Sequence, residues 1–136
     1  MPSRKWSNGA KNALRRIKKN NKKDLEGALQ EVGLDPGGSE CKGRNDAVKA
    51  RVHVELWRNG FHDSAALQSA HTCALSGCQL DGDDFYTNWK MAYALKYMAR
   101  SRGRSHMGEA IPYYDHALAS LHMHEPGNID ALRCVL

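Results

Sequence analysis

From Ala10 to Leu121 the apolar side chains return at intervals of three and four residues, the repeat of a helix with one buried stripe. The first instance is Ala10, Ala13, Leu14 and Ile17, at i, i+3, i+4 and i+7, behind a capping Ser7. It predicts a helix from about Asn8 to about Asn20. Leu25, Ala28, Leu29 and Val32 repeat the pattern from Asp24, with Gly33 as the expected C-terminal cap and Pro36-Gly37-Gly38 as the stop. Asn20-Asn21 either breaks the chain into two helices or lies inside one longer one. Residues 35–44 read as a loop.

Four more segments carry helical signals. Asp46 is placed to cap a helix closing near Gly60, although Val48, Val52 and Val54 suit a strand as well. Asp63 can start a helix ending at Gly77, and Asp83-Asp84 open the longest apolar-striped stretch, with Phe85, Trp89, Ala92 and Ala99 near one face. After a polar break at 101–108, Pro112 suits the first turn of a last long helix whose buried row is Ile111, Tyr114, Leu118 and Leu121. Glu125-Pro126-Gly127 ends it, and residues 128–136 can add a short terminal helix. The expected fold is all-α, a compact bundle of five to six helices forming one domain over residues 1–136.

Charge is distributed unevenly along this chain. Residues 1–24 hold nine Lys or Arg and one acid, a net of +8; of the 20 bases and 15 acids overall, the rest hold eleven and fourteen, a net of −3. The nine are Arg4, Lys5, Lys11, Arg15, Arg16, Lys18, Lys19, Lys22 and Lys23. On a helix, Lys11, Arg15, Lys18 and Lys22 form one row, and Arg16, Lys19 and Lys23 a second beside it, both off the apolar seam. Solvated surfaces usually mix signs. A one-sided cationic end on a slightly acidic body instead points to a polyanionic partner.

Arg100, Arg102 and Arg104 make a second basic patch between the last two long helices, suited to bidentate phosphate contacts or to the C-terminal dipole of the preceding helix. Trp6, beside Arg4 and Lys5, can stack on a base or pack on the body. The expected function is therefore nucleic-acid binding through these twelve cations, with phosphate contacts that carry affinity but no sequence information. Cationic helix rows favour RNA over DNA, since duplex RNA is recognised through phosphates and 2′-hydroxyls. The alternative is a helical interaction module for an acidic partner protein. Small residues Ala65, Ala66, Ala70 and Ala74 allow close helix packing in a homodimer, and a viral or mobile-element accessory protein that sequesters RNA fits the size and charge.

Other chemistries find less support. No apolar run is long enough to span a membrane, and the N-terminus lacks the apolar core of a secretory signal. Cys41, Cys73, Cys78 and Cys134 are irregularly spaced, as expected of reduced thiols in a cytoplasmic or nuclear protein. His71, Cys73 and Cys78, with His122 and His124, invite a zinc reading, but their spacing departs from the tight ligand pairs of structural sites. There is no P-loop, dinucleotide-binding glycine motif or nucleophile elbow, so no enzyme activity and no cofactor is expected.

Short stretches resemble known patterns. Residues 28–44 resemble the first helix and turn of a helix-turn-helix module, with the glycine displaced by one. His53-Val54-Glu55 followed by Cys73 and Cys78 resembles the zinc signature of nucleobase deaminases, without its proline or its cysteine spacing. Residues 94–114 resemble part of a small domain found in many phage accessory proteins. Residues 109–121 are similar to the second helix of a tetratricopeptide repeat, with no second repeat to build a solenoid.

Overall fold

The computed structural model describes residues 5–102 and 105–124, and not the side chains of Arg102, Ser105, His106, Met107 and His124. These residues form six α-helices and no strand: α1 (Asn8–Ile17), α2 (Lys22–Leu34), α3 (Lys42–Arg58), α4 (Ala65–Leu80), α5 (Phe85–Arg102) and α6 (Ser105–His124), with a 3-10 turn at Ser39–Cys41. The all-α bundle expected from periodicity is the fold observed. Arg4, Arg104, Cys134 and the expected terminal helix lie outside the described residues.

Local chemistry sets the first boundaries. Ser7 Oγ accepts from the Ala10 amide at 2.9 Å, capping α1, and donates to Asn45 Oδ1 at 2.8 Å. The same Asn45 amide donates to the Pro36 carbonyl, tying the start of α1 to the turn after α2. The chain does break at the asparagine pair. Asn20 takes a left-handed conformation, φ 55°, which asparagine tolerates better than most residues. Asn21 then caps α2 through its Oδ1, 2.8 Å from the Asp24 amide, so α2 begins at Lys22 rather than Asp24.

Three glycine or proline readings are corrected. Gly33 lies inside α2, which ends at Leu34 without a glycine cap. Gly77 lies inside α4, where a Cβ would come within 2.8 Å of the Gly43 carbonyl oxygen; it is a contact between helices, not a stop. Pro112 sits well inside α6 rather than in its first turn. Proline there denies a hydrogen bond to the Gly108 carbonyl, but both residues are exposed, so water can satisfy it. The break before α6 is correspondingly shorter than 101–108. Likewise, α3 starts four residues before the expected Asp46 cap, inside what reads as loop.

Helix α3 is the centre of the molecule. Ala47, Val48, Val52 and Leu56 pack with Ala10, Ala13 and Ile17 of α1 and Leu25, Ala28 and Val32 of α2. Ala50 and Val54 pack with Leu67, Ala70 and Ala74 of α4, Met91 and Leu95 of α5, and Ala110 of α6. At 100° per residue, positions two apart lie on nearly opposite sides of a helix and positions four apart on the same side. A helix covered on both sides therefore shows the alternating valines that otherwise suggest a strand. Burial on two faces overrides their lower helix propensity.

Candidate nucleic-acid interface

The apolar stripe of α1 is fully used against α2 and α3, with Ala10 and Ala13 at 0% exposure and Ile17 at 4%. Gly9 allows this close seating, since a Cβ there would come within 2.4 Å of the carbonyl oxygens of Glu31 and Asp35. With that stripe turned inward, the cations face out. Lys11, Arg15, Lys18, Lys19, Lys22 and Lys23 are all exposed, and none pairs with a carboxylate among the described residues. Arg15 Nη1 donates to the neutral Asn12 Oδ1 at 3.0 Å, which steadies the guanidinium without cancelling its charge.

The turn between α1 and α2 concentrates this charge. Lys18, Lys19, Lys22 and Lys23 flank Asn20 and Asn21 on an elbow whose shape is fixed by the left-handed Asn20. Asn20 and Asn59 exchange two side-chain hydrogen bonds, at 3.1 and 2.9 Å, which pin the elbow to the C-terminal end of α3. Below it opens a groove of about 720 Å3 lined by Arg16, Lys22, Lys23, Glu26, Gly27 and Gln30. Arg16 lies across Gly27, where a Cβ would come to 1.6 Å from Nη1, and its Nε stands 3.9 Å from Glu31 Oε1. The contribution of Gly27 and Gln30 was not legible in the sequence, because it depends on which face of α2 meets Arg16.

Lys5, expected at the interface, is used elsewhere, and Trp6 takes the second of its two expected roles. Lys5 Nζ is 2.7 Å from Asp81 Oδ2 and 3.5 Å from Asp84 Oδ1. Burial favours its neutral amine, yet the hydrogen bond to Asp81 and the charge of Asp84 outweigh this and hold its pKa above the usual lysine value. Its charge is spent inside the protein. Trp6 packs on the body, its ring 4.7 Å from Tyr86 in an edge arrangement and under the Arg44 guanidinium, also at 4.7 Å. A ring held this way is no base-stacking platform.

Arg100 is exposed near the end of α5, its guanidinium 4.9 Å from the centre of the Tyr97 ring. The side chain of Arg102, like Arg104, is outside the described residues. Thus six of the twelve expected contacts are exposed and unpaired along α1 and the elbow, Arg16 stands beside Lys22 and Lys23 with partial pairing, Arg100 stands on α5, and Lys5 is withdrawn.

The remaining polar groups lie on α4 and around the end of α3. Among the described residues no three His, Cys, Asp or Glu side chains are placed to hold a metal ion. Cys73 and Cys78 lie on α4, where burial pushes both thiols up, Cys78 to about 11, away from the reactive thiolate. His53, Phe61, His62, Asp63 and Ser69 line a second open pocket of about 410 Å3. No described helix is long and apolar enough to cross a membrane. Comparison with protein-family models, with curated proteins and with solved structures finds no match to this chain.

Proposed function

We propose that this protein binds nucleic acid, RNA in preference, through the phosphate backbone and largely without regard to sequence, and that binding rather than turnover is its activity. The observation that carries the reading is the open cationic surface of α1 and the elbow: six Lys and Arg side chains exposed together, with no described carboxylate neutralising them. Each phosphate contacted by such a cation releases a condensed counterion, so affinity accrues with every contact. Arginine and lysine spread along α1 and the elbow can follow a backbone, and such a spread suits RNA, whose phosphates and 2′-hydroxyls are presented along a shallow groove.

The test compares duplex and single-stranded RNA and DNA in a salt series. Affinity is expected to fall along a log–log slope of about −0.7 to −0.9 per phosphate contacted. Changing Lys18, Lys19, Lys22 and Lys23 together to Glu should flatten that slope by roughly 3 and abolish retardation at moderate salt. A folded quadruple variant that retards every probe as the parent does overturns the reading. Equal affinity for matched RNA and DNA removes the RNA preference alone. Salt-sensitive capture of an acidic protein, with no nucleic acid bound, transfers the surface to the rival class of partner.

A further inference from the structure

Asn59, which locks the elbow through Asn20, follows Arg58 at the end of α3, and Arg58 leads directly to a second cationic group. Three cations surround one tyrosine: Arg58 at 5.0 Å, Arg100 at 4.9 Å and Lys96 at 5.4 Å from the centre of the Tyr97 ring. Trp57, half-buried beside them, meets Tyr97 edge to face at 6.1 Å.

Three positive groups around one ring repel one another. The ring face attracts each of them, and this holds them in place with less loss of side-chain freedom on binding. Among the described residues only Glu55 pairs with any of the three, through Arg58 Nη1 at 3.0 Å, and Glu55 also accepts from the Tyr93 hydroxyl. One shared carboxylate against three cations leaves an uncompensated positive site. Arg58 is the sequence neighbour of Asn59, which the clasp with Asn20 holds to the elbow, so both cationic groups meet the same end of α3.

We propose that the Arg58, Lys96 and Arg100 group around Tyr97 is a second phosphodiester-binding segment, which takes the backbone of the same polynucleotide after it passes the elbow. The inference rests on the nucleic-acid reading above and extends it to residues on α3 and α5. It makes the bound length of nucleic acid a property of two segments rather than one.

The experiment uses the full chain and two single-stranded RNA probes, one of about 8 and one of about 24 nucleotides, a range that brackets common single-strand site sizes. K96E/R100E should bind the short probe within about twofold of the parent, because the elbow is intact. For the long probe it should lose at least tenfold in affinity and about 1.4 in log–log salt slope, the share of two single-strand contacts. K96Q/R100Q, which removes the charges without reversing them, should fall between, and circular dichroism should show both variants folded. Parental affinity and slope for the long probe in the folded variants overturn this segment while leaving the elbow reading standing. A parent that binds neither probe overturns this segment, and the elbow reading falls with it when the duplex probes of the first test are also left unbound.

Discussion

Arg44 and Asp84, forty residues apart in sequence, form a buried ion pair with three contacts: Nε to Oδ1 at 3.1 Å, Nε to Oδ2 at 3.0 Å and Nη2 to Oδ1 at 2.7 Å. The same Arg44 lies between the rings of Trp6 and Phe85, at 4.7 and 5.1 Å, and Asp84 Oδ2 also accepts from the Thr87 amide at 3.2 Å. One pair thus joins the start of α3, the N-terminus of α5 and the strand of chain that leads into α1. Removing either partner strands a charge in the interior. Arg44→Ala or Asp84→Ala should cost about 3–5 kcal/mol in urea denaturation, whereas Arg44→Met with Asp84→Leu should cost much less than the sum of the single changes. Additive losses would show that the two groups act independently.

Glycines at two helical positions should respond with opposite signs. At Gly77 a methyl would meet the Gly43 carbonyl oxygen at 2.8 Å, a backbone atom that cannot swing away, so Gly77→Ala should destabilise by about 1–3 kcal/mol. At Gly33, inside α2, nothing lies within 4 Å of the added carbon, and Gly33→Ala should stabilise by about 0.5–1 kcal/mol through helix propensity. Thermal midpoints moving in opposite directions would check both.

Stability should decline on the acid side through His53. Burial, aided by the charges of His62 and Lys49, lowers its pKa from the ordinary 6.5. Below about pH 6.5 the unfolded chain takes up a proton that the folded chain still refuses, so this contribution is full above that pH and is lost as pH falls toward the depressed value. The slope due to one such group is at most about 1.4 kcal/mol per pH unit. His53→Gln should make the fall in unfolding free energy between pH 6.5 and 5 shallower. An unchanged slope would assign the acid sensitivity to other groups.

Thiol chemistry gives an independent check on α4. With Cys78 pushed up to about 11 by burial, alkylation by iodoacetamide at pH 8 should be many times slower in the native protein than in urea. Cys73, raised for the same principal reason, should be protected in the same sense. Peptide-level mass spectrometry would resolve the two sites, and rapid native labelling of Cys78 would contradict the packing of α4 against Thr87, whose carbonyl accepts from its sulfur at 3.4 Å.

The cationic surface was legible in sequence where spacing alone decides exposure. Once Ala10, Ala13 and Ile17 turn inward, Lys11, Arg15 and Lys18 must turn outward, since all share one helix. Lys5 and Trp6 were not decidable that way. They precede α1, and their partners Asp81, Asp84 and Tyr86 lie some eighty residues further along the chain. Lys96 and Arg100, four residues apart on α5, are neighbours by spacing alone, whereas Arg58 joins them only through the meeting of α3 and α5 at Tyr97.

Local information settled the helical class, the Ser7 cap and the outward face of Lys11 and Arg15, because each depends on residues within a turn or two of one another; the two cationic rows expected to run on to Lys22 and Lys23 are instead cut where α1 ends at Ile17 and Asn20 turns the chain. The identity of α3 as a helix covered on both sides, the role of Gly43 and Gly77 as a point of close approach, and the loss of Lys5 to internal carboxylates were decided by tertiary structure. These depend on which distant surfaces meet, and burial on two faces erases the one-sided periodicity from which a helix is otherwise read.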